Sequence, residues 1–368
     1  MQQRVVVIGG GYGGVALAKA LDEHADVVLV EPKDAFVHAV AALRVVVDPT
    51  WQERTFFPYD RLLEHGRIVR DWARLVSPGL VQLSATEAIE TDHVVLATGT
   101  GYPFPANFLE DDAFVATSRL ARLRSALAAC ERVLLVGAGP VGIELAGELT
   151  SAFPGLGVTL VDQERDILSN GDYLPELRDS IRHQLTARGV VLELGAPLGY
   201  LPPVDIGVFE PFTVETASGA VIEAQMWFRC YGARPMTGYL DASLSTGLRH
   251  DGSIPVTEHL NVVGQDRVWA IGDITDVRES KRATAARDHA AVVAQNIRDV
   301  IDGREPSAAY TAARERIVLP LGPDGGASQL EQDDGSRMVL GPEQTSRMKG
   351  ADLFSGSMAE LFGRAGVR

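Results

Sequence analysis

The chain is poor in cysteine. It has two, Cys130 and Cys230, far apart and in no C-x-x-C pattern. That excludes a disulfide-stapled scaffold and a sequence-local redox dithiol. So low a count fits a reducing cytoplasm, the expected location. The chain also lacks an apolar run of the about 18 residues that a membrane-spanning helix takes. Its start, Met1-Gln2-Gln3-Arg4, passes straight into Val5-Val6-Val7-Ile8, a run too short for the core of a signal peptide. Position 2 is not glycine, so no myristoylation pattern is read, and no stable membrane anchor is expected. Basic charge is in deficit, with a formal net charge of −15. Nucleic-acid binding needs Lys and Arg against phosphates, so no nucleic-acid partner is expected, and docking on an anionic membrane surface is disfavoured. No set of metal ligands is assigned.

What the chain does have is apolar mass and glycine at telling places. Its 368 residues are 46% hydrophobic and 23% charged. That is an ordinary globular composition, enough for about two or three domains of roughly 100–200 residues. One pattern occurs twice. Val5 to Ile8 leads into Gly9-Gly10-Gly11-Tyr12-Gly13-Gly14, and Val133 to Val136 leads into Gly137-Ala138-Gly139-Pro140-Val141-Gly142. Each reads as a buried strand, a tight turn and a helix. Each is followed by a second apolar run ending in an acid, Glu31 in one case and Asp162 in the other. Strand, helix and strand in this order predict a parallel β-α-β unit.

In such a turn the first glycine permits the bend, the second lets a pyrophosphate approach the helix N-terminus, and the third lets helix pack on strand. The acid accepts from ribose hydroxyls. Gly9, Gly11, Gly14 and Glu31 therefore predict one dinucleotide, and Gly137, Gly139, Gly142 and Asp162 a second. The natural pair is FAD and NAD(P). An acid at Asp162 favours a free 2′-hydroxyl and hence NADH, while nearby Arg165 leaves NADPH open. Three more strands are expected, ending at Thr98-Gly99, near Gly232, and at Gly272-Asp273. Asp273 is a candidate contact to the FAD ribityl chain. A long helix is expected from about Ala283 to Ile301, capped by Gly303 and stopped before Pro306. Residues 317–340 read as one or two hairpins, with turns at Pro323-Asp324-Gly325-Gly326 and Asp333-Asp334-Gly335-Ser336.

The segments IGGGYGG, VLATGT, VGAGPVGIELAGE and AIGDITD together resemble the two-dinucleotide flavin reductases, a superfamily that includes glutathione reductase, type II NADH dehydrogenase and apoptosis-inducing factor. DAFVHAVAALR (34–44), GVTLVDQERDIL (157–168), GDITDVRESK (272–281) and KGADLF (349–354) are most similar to its ferroptosis suppressor branch. The resemblance spans nearly the whole chain. It implies an FAD-dependent NAD(P)H oxidoreductase acting on a quinone-like or other flat aromatic acceptor. It places Glu144 near the flavin–nicotinamide junction with Lys349 as its candidate partner. It brings Thr98 and Gly99 into the cofactor site with Gly272 and Asp273. It makes Arg44 a candidate pyrophosphate contact, and His38, beside Ala41 and Ala42, a candidate acceptor wall or proton relay. Phe354 is expected either to meet the ring system or to fill core. Lys281 is a further candidate, and His289 is read as packing. The superfamily's C-x-x-C is missing, which excludes disulfide reduction by that route.

The expected fold class is α/β, with two Rossmann-like dinucleotide-binding domains and a small α+β C-terminal domain. The expected boundaries are 1–105 with 233–303 for FAD, 106–232 for NAD(P), and 304–368 for a C-terminal lid. Three other readings remain open: a reductase of a ferredoxin- or rubredoxin-type protein, a specialised-metabolite oxidoreductase, and a non-catalytic NADH-sensing flavoprotein. A homodimer is a candidate assembly.

Overall fold

The computed structural model describes residues 2–84, 87–332 and 334–364. Met1, at the start of the expected anchor-free terminus, and Asp333, of the second expected turn, lie outside the described residues.

Two parallel sheets organise the chain. The first has five strands, in the order Val268–Ala270, His93–Leu96, Arg4–Ile8, Asp26–Val30 and Arg67–Val69. Val5, Val6 and Val7 are fully buried because both faces of this sheet are covered, which is why the strand reads as an unbroken apolar run. On one face lie the helix Tyr12–Leu21 and the long helix Ala283–Ile301, which pack on each other. On the other lies an antiparallel sheet of Ala73–Ser77, Leu80–Leu83 and Ala88–Glu90, whose Val76, Val81 and Ile89 meet Val6, Ile8, Val28 and Val30.

The second sheet has four strands, in the order Val191–Leu194, Gly157–Asp162, Arg132–Val136 and Met226–Arg229. Alternation within Arg132–Val136 divides its two cores. Val133 and Leu135 join the helices Ala113–Ala128, Pro140–Ala152 and Pro175–Ala187, while Leu134 and Val136 join the hairpin Phe212–Glu215 and Val221–Ala224. A short antiparallel pairing of Thr100–Gly101 with Arg234–Pro235 links the two outgoing chain connections.

The remaining chain forms an antiparallel sheet of Ile317–Leu321, Gly325–Glu331 and Arg337–Leu340, so the expected hairpins are two. Helix Pro342–Thr345, a π-helical turn Ser346–Gly350 and helix Ser355–Leu361 follow. This piece straddles both halves. Ile317, Leu319, Leu321 and Leu353 extend the core of the second sheet. Phe362 is fully buried against Phe36, Phe57 and Tyr59 beside the first. The architecture is α/β, with two Rossmann-like halves and an α+β C-terminal piece.

Candidate functional site

The two glycine turns are atomic copies of each other. A methyl on Gly14 would lie 1.9 Å from the Gly9 carbonyl oxygen, and one on Gly142 would lie 2.0 Å from that of Gly137. Gly9 and Gly137 are left-handed, with φ of +101° and +113°. The protein's own packing thus demands glycine at the first and third positions. It does not demand it at the second. A methyl on Gly11 or Gly139 meets nothing within 4 Å. Those two positions open onto helix N-termini with no side-chain cap and no acid in the first turn, leaving amides free for an anion.

The acids repeat as well. Glu31 accepts from the Gly10 amide at 2.6 Å and the Lys33 amide at 3.0 Å. Asp162 accepts from Ala138 at 2.6 Å and Glu164 at 2.9 Å. Burial pushes the Glu31 carboxyl above its ordinary range, against the pull of those two amides. Each carboxylate is pinned at the end of its strand and keeps lone pairs for a ribose. A cavity of about 420 Å³, walled by Lys33, Pro58, Tyr59, Leu63 and Ile68, lies next along the chain from Glu31. The donors and the open second glycines fit two dinucleotides.

Neighbouring strand ends complete the first site. The Gly9 bend sits against Ala97 and Thr98, and Gly13 sits against Ile271 and the Ala286 carbonyl. Thr98 donates its hydroxyl to the Met236 carbonyl at 2.8 Å, and Gly99 is left-handed, with φ +62°. Asp273 lies 3.4 Å from the Thr100 hydroxyl, its carboxyl raised by burial and opposed by Lys281. Lys281 itself donates to the Thr275 and Val277 carbonyls, closing its own loop. The Gly272 amide donates to Nδ1 of His289. His289 therefore has a polar partner, which its reading as packing did not foresee.

Glu144, just past the first turn of the second glycine helix, and Lys349, in the π-helical turn, pair at 2.8 Å with side chains only 16% and 13% exposed. Phe354 does not fill core. It is 43% exposed and left-handed, with φ +60°, while the buried Leu353 before it is left-handed too, with φ +50°.

Two candidates are held by partners within the protein. Arg44 is one. Its guanidinium donates to Glu148 at 2.5 Å and to the Gly350 carbonyl at 3.0 Å, and it lies over the Trp51 ring. His38 is the other. It is 1% exposed with both ring nitrogens engaged. Nε2 donates to the Leu353 carbonyl at 2.7 Å, so Nδ1 must accept from the Tyr12 hydroxyl, also at 2.7 Å. Burial pulls its pKa down to about 4. His38 is a neutral pin on the C-terminal segment. The sequence assigns no role to Glu148 or Tyr12. Glu148 carries one faint signal, its place one helical turn beyond Glu144.

Both cysteines are free and buried, and burial pushes Cys230 up to about 12, so neither serves as a thiolate. Among the described residues no helix is long and apolar enough to cross a membrane.

Comparison with known proteins agrees with this build. The chain is 31% identical to ferroptosis suppressor protein 1 of Taeniopygia guttata, over 89% of this chain and 88% of that one. It is 29% identical to the human protein of the same name, over 95% and 93%. Among solved structures it resembles the water-forming NADH oxidase of Lactobacillus brevis bound to NADH. The TM-score is 0.68 at 19% identity, over 89% of this chain and 75% of that one, a likeness of fold. The model of the pyridine nucleotide-disulphide oxidoreductases matches residues 3–290. With two dinucleotide turns inside that span, holding FAD and NAD(P)H, the chain belongs to the pyridine nucleotide-disulphide oxidoreductase family, as a flavoprotein with no disulfide of its own.

Proposed function

We propose that the chain takes hydride from NADH onto FAD and passes the electrons to a quinone-like acceptor. The reading is carried by the Lys349–Glu144 pair. The branch resemblance sets a glutamate of this kind at the flavin–nicotinamide junction, and the C-terminal lysine of the same resemblance lies against it. FAD supplies the two-electron chemistry between nicotinamide and acceptor. The protein's own part is to bind, orient and exclude water. Glu31 and Asp162 hold riboses, and the open glycine turns receive the pyrophosphates. Asp162, with Glu164 beside it, repels a 2′-phosphate, which supports NADH over NADPH. Lys349, largely out of bulk water, is a fixed positive charge at the junction, where negative charge develops in electron transfer. Exposed Met348 and Phe354 on the same segment offer an apolar wall to a flat acceptor. In this reading residues 1–105 and 233–303 hold FAD, 106–232 hold the nicotinamide nucleotide, and 304–368 form the acceptor side.

The test is anaerobic reduction of the flavin by NADH or NADPH, followed by a soluble short-chain quinone. Fast bleaching by NADH, slower bleaching by NADPH and fast recovery with quinone are expected. No recovery with quinone overturns the acceptor, and no bleaching by either nucleotide overturns the reductase. Glu144→Ala is expected to keep its FAD while flavin reduction slows about tenfold or more, the cost of a misplaced junction. A full rate in that variant removes Glu144 from the reading.

A further inference from the structure

The Gly272–Asp273 turn is held from behind by buried polar groups that belong to neither glycine motif. Gly272, with φ +73°, follows the strand Val268–Ala270. Its amide donates to Nδ1 of His289, 3.0 Å away in the middle of helix Ala283–Ile301. Both residues are buried, His289 completely. An acceptor at Nδ1 puts the ring proton on Nε2. Nε2 lies 2.9 Å from Glu279 Oε1 but off the line of an aligned hydrogen bond, so the carboxylate holds the ring by attraction and proximity. The other oxygen of Glu279 accepts from the Tyr310 hydroxyl at 2.6 Å, and the Tyr310 ring meets His289 edge-on at 4.2 Å. Burial pushes the Glu279 carboxyl up, but His289 and Tyr310 hold it below its ordinary range.

Packing alone does not call for histidine here. The neighbouring buried positions of the same helix are filled by Ala290, Val293 and Ala294. What the position needs is an acceptor for a buried amide that would otherwise be unpaired. We propose that His289 is a positioning residue of the flavin site, fixing through the Gly272 amide the turn that presents Asp273 to the cofactor. Glu279 and Tyr310 set the ring's tautomer and orientation. The proposal rests on the reading of Gly272–Asp273 as a flavin contact.

The experiment measures FAD dissociation from the holoprotein by flavin fluorescence, alongside thermal unfolding of the FAD-free protein. The variants are Asp273→Asn, His289→Gln, their double, and His289→Asn, whose side-chain oxygen can take the place of Nδ1. Asp273→Asn and His289→Gln are each expected to weaken FAD binding about fivefold to tenfold, the effect of one lost hydrogen bond. The double variant should lose no more than the worse single, because both act through one turn. His289→Asn should recover most of the affinity. Additive losses, or a His289→Gln that lowers only thermal stability, overturn the proposal. Unchanged affinity in Asp273→Asn overturns the flavin-contact reading itself, and the proposal with it. If His289→Gln does not fold, Tyr310→Phe takes its place. It is expected to weaken FAD about twofold to threefold, again without adding to Asp273→Asn, and no change there is an equal refutation.

Discussion

In the proposed reading, Gly139 is glycine for a ligand and not for the fold. Its φ of −79° suits any residue, and a methyl there meets no protein atom within 4 Å. Gly139→Ala is therefore expected to keep or slightly raise the unfolding temperature. NADH affinity should fall about tenfold, roughly 1.4 kcal/mol, by isothermal titration. Gly142→Ala, with its 2.0 Å clash, would instead damage the fold, so the contrast separates binding from structure. His38 supplies a pH prediction. Its folded pKa of about 4 lies below the unfolded 6.5, so the folded state refuses a proton that the unfolded state takes. Stability is full above pH 6.5 and is lost as pH falls from 6.5 to about 4, by up to about 3 kcal/mol. Buried His93 has the same shift and adds to the slope. Urea midpoints from pH 7 to pH 4.5 should show the fall, and His38→Gln should flatten it by about half. An unaltered slope in that variant would clear His38 of the effect. The glycines and acids were legible because their local chemistry is self-contained. His38 was not, because its partners, Tyr12 and Leu353, come from other parts of the chain.

Three elements converge on one buried ion pair. Helix Ala42–Val47 brings Arg44, helix Pro140–Ala152 brings Glu148, and the π-helical turn Ser346–Gly350 brings the Gly350 carbonyl. The pair's side chains are 6% and 5% exposed, so removing one partner strands a charge. Glu148→Ala is expected to cost about 3–5 kcal/mol, and Glu148→Gln distinctly less. Chemical denaturation measures both, and equal costs would show that charge is unimportant here. The same convergence sets Lys349 beside Glu144, one turn earlier on the helix. The long helix Ala283–Ile301 and the two hairpins were readable as elements because their signals are periodic or punctuated by turn residues. The π-helical turn was not. One irregular turn has no period, and its shape comes from what it is docked against.

Across the whole molecule, the first dinucleotide site is assembled from pieces distant in sequence. Strands Arg4–Ile8, His93–Leu96 and Val268–Ala270 lie side by side in register, and their ends form one edge. A ligand there joins the first strand of the chain to one that follows the whole second sheet. Removal of FAD is accordingly expected to lower the unfolding temperature, and added FAD to restore it, by about 2.7 kcal/mol at a free concentration one hundred times its dissociation constant. A thermal midpoint indifferent to FAD would contradict the assembly. The sequence alone determined the two β-α-β turns, their acids, the missing dithiol and the α/β class. Each of these depends on neighbours within a few tens of residues, where backbone geometry leaves little choice. Tertiary structure alone decided which charges meet. It took Arg44 for Glu148, closed both nitrogens of His38 and set His289 behind Gly272. Such pairings join residues brought together only when separate cores pack, and buried polar groups take whatever partner that packing supplies.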